Sequence, residues 1–128
     1  MPTLVRILAG ILLIAHGGVH TLYLVPNPDD PKYPFSIESS WMLPEPSRRP
    51  VALTLIVATM VAFLLLTLAV WGVSGLAGAW PAIAIVASSL SLLLLVAFWD
   101  NRLAFGVVID LALIALAVIQ PSWTDSIA

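Results

Sequence analysis

Residues 51–73 read VALTLIVATMVAFLLLTLAVWGV and contain no ionisable side chain. A helix rises about 1.5 Å per residue, so about 20 apolar residues cross the hydrocarbon core of a bilayer. This stretch is long enough to do so. Three others, 3–25, 79–99 and 103–120, read the same way, which predicts an all-α protein: an antiparallel bundle of four transmembrane helices forming a single integral membrane domain over 1–128. Pro50 and Pro81 sit where a first-turn proline is tolerated, since the missing N–H would have had no partner there. Pro26 and Pro121 are read as closing the first and fourth spans.

The composition excludes most alternatives. Of 128 residues, 61% are hydrophobic and 9% charged, with a mean hydropathy of +1.07. A soluble domain is roughly a quarter charged because water demands a polar shell, so lipid is the solvent this chain is built for. The net charge of −2 rests on too few groups to form a basic patch, and nucleic acid is excluded as a partner. The absence of cysteine removes disulfides, thiolate metal sites, iron–sulfur clusters and the chemistry of four-helix thiol oxidases. Small multidrug transporters rely on a glutamate in the first span, whereas the first glutamate here is Glu38. Arg6 and the apolar stretch after it resemble a signal peptide, but His16-Gly17-Gly18 is a poor cleavage pattern. The segment is expected to remain as the first span.

Trp and Tyr favour the headgroup level. Trp71, Trp80 and Trp123 are predicted at one interface, and Trp99, Tyr23 and Trp41 at the other. The long connection 26–50 is too rich in proline for regular structure, yet it carries Tyr33, Phe35, Ile37, Trp41, Met42 and Leu43. It is expected to be an ordered cap over one mouth of the bundle. That side also carries Lys32, Arg48, Arg49 and Arg102, so the positive-inside rule places the loops in the cytoplasm and both termini outside the cell membrane.

Three ionisable groups lie within spans: His16, His20 and Asp110. A carboxylate at mid-membrane costs about 2.5–3.5 kcal/mol on insertion scales, which makes such residues functional candidates. His16 and His20 are four apart and share one helix face. Counting helical rise from the loop side puts His20 roughly 7 Å, Asp110 roughly 10 Å and His16 roughly 13 Å deep. Asp110 is therefore expected to meet the histidine face. Ser91 and Ser88 on the third span and Thr54 and Thr59 on the second fall at compatible levels, and Gly17, Gly18 and Gly106 are expected to let the first and fourth helices approach. Asp100 or Asn101 is read as the N-cap of the fourth helix, the alternative being that Asp100 and Glu38 line the mouth of the same pocket.

Four uses of the cluster are open at this point. In the first, the polar contacts serve only to fix helix register. His16, His20 and Asp110 are a possible set of three metal ligands, so a metal ion is possible although no cofactor is predicted. Their spacing matches a zinc-protease motif, but Gly17 stands where that motif needs its glutamate base. Bis-histidine haem is disfavoured, because both imidazoles lie on one face. Proton relay or a small-molecule pocket completes the set.

The runs Ala15-His16-Gly17-Gly18-Val19-His20, Ser40-Trp41-Met42-Leu43 and Phe98-Trp99-Asp100 through Gly106 to Asp110 resemble those of a group of small uncharacterised bacterial four-helix membrane proteins, similar in outline to DoxX-like proteins. The resemblance implies the fold and no reaction. With no nucleophile and base arrangement in view, the expected role is a non-enzymatic accessory or binding subunit of a membrane complex. It would associate with other subunits or itself through small-residue faces such as Ala58 with Ala62 or Ala84 with Ser88. A proton- or cation-coupled carrier is the alternative.

Overall fold

The four apolar stretches form four helices in a computed structural model that describes residues 1–25 and 27–127. Helix α1 is Thr3–Gly18, continued by a 3-10 turn Val19–Leu24; α2 is Glu45–Val70, α3 is Trp80–Ala97 and α4 is Ala104–Ile119. All four are long and apolar enough, with their 3-10 extensions, to cross a membrane. Pro26 lies outside the described residues. Helix α2 begins earlier than its apolar run, with Pro46 in its first turn, so Pro50 lies inside the helix and not at its start. The N–H that Pro50 lacks is one the interior of a helix would use. Beside it, Thr54 Oγ1 donates to the Pro50 carbonyl at 2.8 Å.

The bundle is sequential and open. Helix α1 packs on α2, α2 on α3 and α3 on α4, while α1 and α4 make no extensive contact. The close packing is made by small residues: Ala52, Ala62, Ala69, Ala84, Ala87, Ala97, Ser88 and Ser91 are buried, which lets backbones approach where a hydrophobic driving force is missing. Ala62, Ala84 and Ser88 are thereby used inside the molecule and are not available as docking faces for a partner. Gly17 abuts α2, where an added Cβ would stand 2.6 Å from Phe63 Cβ, and Gly18 faces open space. Gly106 abuts Leu95 of α3. The glycines thus do not draw α1 and α4 together; they seat each of these helices on the central pair.

Large apolar residues point outward, with Phe105, Ile119 and Leu12 exposed by 76%, 71% and 69%. In water such a surface would drive association; against lipid it is the expected exterior. Trp41, Trp71, Trp99 and Trp123 are exposed, but Trp80 and Tyr23 are buried in the core. These two rings are packing residues, not interface anchors.

The chain ends meet at one end of the bundle. After Ile119 the backbone turns through Gln120, whose φ of 47° is left-handed, into a 3-10 turn Ser122–Ser126. The terminal ammonium of Met1 donates to Ser126 Oγ at 2.6 Å, the Arg6 guanidinium donates to the Ser126 carbonyl, and Ile127 is buried. At the other end, segment 27–44 has no regular secondary structure. Its Phe35, Ile37 and Leu43 pack on the cluster around Tyr23, Ile56 and Phe98. Tyr33 Oη donates to the Leu22 carbonyl, Ser40 Oγ to that of Ala97 and Trp41 Nε1 to that of Val96, at 2.5–2.6 Å.

Candidate functional site

His16 and His20 reach the middle of the bundle because α1 lies on α2 through Gly17, and Phe63 of α2 holds both rings. Its ring is 5.0 Å from His16, edge to face, and 6.4 Å from His20, nearly parallel. The imidazoles are 5.6 Å apart. From α4, Asp110 points inward with no exposed surface, and from α3 Ser91 does the same.

These groups form one hydrogen-bonded chain. His16 Nε2 and Asp110 Oδ1 are 2.8 Å apart. Ser91 Oγ lies 2.5 Å from Asp110 Oδ2 and 2.8 Å from His20 Nε2, and His20 Nδ1 lies 3.0 Å from the Gly17 carbonyl oxygen. The carbonyl can only accept, so His20 Nδ1 carries a hydrogen and donates it. Ser91 has a single hydroxyl hydrogen for two neighbours. If it donates to Asp110, His20 Nε2–H must donate to Ser91, and an imidazolium faces a carboxylate through the hydroxyl. If Ser91 donates to His20, Asp110 must be protonated on Oδ2 and donate to Ser91. Both arrangements satisfy every bond and both sum to zero charge. Buried polar groups of this kind are tolerated because each has its partner.

The residues are not all gathered. Thr54 is exposed and bonded to its own helix, since its side chain turns to the outside of α2. Glu38 is exposed in the loop, where its backbone carbonyl accepts from Arg48 Nη1 at 2.9 Å. Asp100 caps the turn Asn101–Leu103, accepting from the Arg102 N–H at 2.9 Å, and pairs with the Arg102 guanidinium at 3.2 Å. Neither acid joins the histidines. Thr59 and Ser88 are buried with hydroxyls that have no partner among the described residues. Among the described residues no three His, Asp or Glu side chains are placed to hold a metal ion. Two features at the heart of the site were not read from the sequence: the Phe63 ring and the use of the Gly17 carbonyl. Phe63 had a signal, as an aromatic in mid-span where the others lie at span ends. The Gly17 carbonyl had none, because its use depends on the fold of the following turn.

Between α1 and α4, which are joined by the His16–Asp110 bond without extensive packing, lies a cleft of about 730 Å³. It runs the length of the bundle, from Phe35 and Arg102 at the loop end to Met1 and Trp123 at the terminal end. Ala15 and Leu12 on one wall and Ile109 and Leu113 on the other make it apolar. His16 lies in its lining, with 8% of its side chain exposed. Opposite, Gly106 is near the imidazole, where an added Cβ would stand in ordinary contact with His16 Cε1 at 3.9 Å. No family model, curated protein or solved structure matches the chain, so the cleft and its hydrogen bonds are the ground on which a function is argued.

Proposed function

We propose that this small multi-pass membrane protein is a binding subunit that lodges an apolar molecule in the cleft between α1 and α4. The observation that carries this reading is the combination of a long apolar cleft with a nearly buried imidazole in its wall. Binding sites for small molecules are typically apolar clefts of this volume with a few fixed polar groups. In a bilayer, a gap between two helices admits molecules sideways from the lipid. The protein would sit in the plasma membrane, with both ends on one side; the contact of Met1 with Ser126 supports their lying together. Partner subunits or a second copy would dock on the outward apolar faces, since the small-residue faces are used internally. The carrier alternative is less well supported. A proton path must continue to the far side, and the hydrogen-bonded chain stops at the Gly17 carbonyl.

The reading is tested in nanodiscs with 2-methoxynaphthalene, an apolar probe small enough for the cleft. Backbone amide resonances of Ala15 and Leu113 should shift along a saturable isotherm, while those of Val57 and Leu111, which face outward, should change only in proportion to probe added. Uniform, unsaturable shifts at all four positions would show that the cleft holds nothing specifically.

A further inference from the structure

The hydrogen-bonded chain has the same sense at its two ends in both arrangements, and the His16 end lies in the wall of the cleft. It is anchored at one end by a backbone carbonyl, which obliges His20 Nδ1 to donate. Following the bonds outward, both zero-charge arrangements leave Asp110 Oδ1 as an acceptor, so His16 Nε2 carries a hydrogen and donates to it. The other nitrogen of His16, Nδ1, is then an unprotonated lone pair in either arrangement. It has no partner among the described residues, and it is not among the fully enclosed polar atoms. The side chain that carries it lines the cleft and is 8% exposed. A further proton on the network would put a net positive charge among apolar walls. Among the described residues no other titratable group is bonded to it: α1 contributes the two histidines, α3 the Ser91 hydroxyl, α4 Asp110, and α2 the Phe63 ring, while Arg102 and Met1 line the two ends of the same cleft.

We infer that His16 Nδ1 is a hydrogen-bond acceptor site, and that the molecule taken by the cleft is apolar with a hydroxyl or N–H group that donates to it. This rests on the cleft being a binding site and adds the chemical class of its occupant. An acyl chain or hydrocarbon would fill the cleft and leave the lone pair unpaired. A ligand with only ether or carbonyl oxygens would set acceptor against acceptor. A hydroxyl at the level of His16, with its apolar body along Leu12 and Leu113, satisfies both. Sites built around a hydrogen bond discriminate strongly against analogues that lack the matching group, because a buried polar atom is then left alone.

The test compares 2-naphthol with 2-methoxynaphthalene in nanodiscs, using the parent and His16→Gln. Gln places its amide N–H near the position of Nε2, so it can still donate to Asp110, while its one acceptor, Oε1, is displaced from the ring position of Nδ1. In the parent, 2-naphthol should bind about tenfold or more tightly than its methyl ether, and the ratio should fall to about one in His16→Gln. Side-chain ¹⁵N spectra of the parent should show an unprotonated Nδ1 on His16 whose resonance moves with 2-naphthol and not with the ether. That measurement stands even if the variant does not fold. Equal affinities in the parent would overturn the acceptor site and leave the cleft reading intact, as would a preference that survives in His16→Gln or a protonated His16 Nδ1 in the free protein. Failure of both probes to saturate would overturn the cleft reading, and the acceptor proposal with it.

Discussion

At Asp110 the number of protons matters more than the charge. An ionised carboxylate alone in the bundle would cost several kcal/mol, but here one proton shared along Asp110, Ser91 and His20 keeps the group neutral overall. Asparagine reproduces one of the two arrangements: its oxygen accepts from His16 Nε2, its amide donates to Ser91 Oγ, and Ser91 donates to His20. Asp110→Asn should therefore melt within a few degrees of the parent in detergent. Asp110→Leu leaves His16 Nε2 without its acceptor and takes from Ser91 its bond to α4. At about 1–3 kcal/mol for each buried group stranded, it should lower stability by roughly 3 kcal/mol. Thermal denaturation followed by circular dichroism decides between these outcomes, and an Asp110→Leu protein as stable as the parent would mean that the network contributes nothing to the fold.

Among the elements, α1 depends on two adjacent glycines that do different things. An alanine Cβ at position 17 would lie 2.6 Å from Phe63 Cβ, an atom fixed to the backbone of α2, while at position 18 it meets nothing within 4 Å. Alanine is favoured over glycine inside a helix by roughly 0.5–1 kcal/mol. Gly18→Ala should then be neutral or slightly stabilising. Gly17→Ala should cost about 1–3 kcal/mol through overpacking, and should broaden the His16 and His20 side-chain resonances by moving α1 off Phe63; melting curves of the two variants side by side provide the check. What the sequence made legible follows from the same physics. Apolar length marks a span because nothing else crosses hydrocarbon, and helical rise alone put Asp110 between His16 and His20 in depth, with His16 bonded to it directly and His20 through Ser91. Depth carries no information about azimuth. Thr54 lies on α2 as Phe63 does, but it turns outward, and Gly17 faces α2 instead of α4. The early start of α2 at Glu45 was hidden because prolines that exclude a helix interior are compatible with a helix start, and Pro50 is carried inside one.

For the whole molecule, the decisive feature is that, among the described residues, extensive packing joins α1 to α2, α2 to α3 and α3 to α4, while α1 and α4 meet through the His16–Asp110 bond without packing closely. The sequential order places α1 and α4 at the two edges, and their inner faces, together with the central pair, bound the cleft. If the cleft holds the ligand, narrowing it should weaken binding without weakening the fold. Ala15 lines the cleft and is exposed, so a larger side chain there projects into open space instead of a packed core. Ala112 is also exposed but lies outside the cleft lining, on α4. Phenylalanine at either position adds the same ring to an apolar helix surface, so insertion, expression and melting should respond alike. Only Ala15→Phe takes up cleft volume near His16, and it should reduce 2-naphthol affinity by about tenfold, the cost of displacing roughly one good packing contact from a preformed pocket. Ala112→Phe should bind as the parent does. Equal loss in both variants would trace the effect to the membrane surface, and no loss in Ala15→Phe would remove the α1 and α4 gap as the place where the molecule sits.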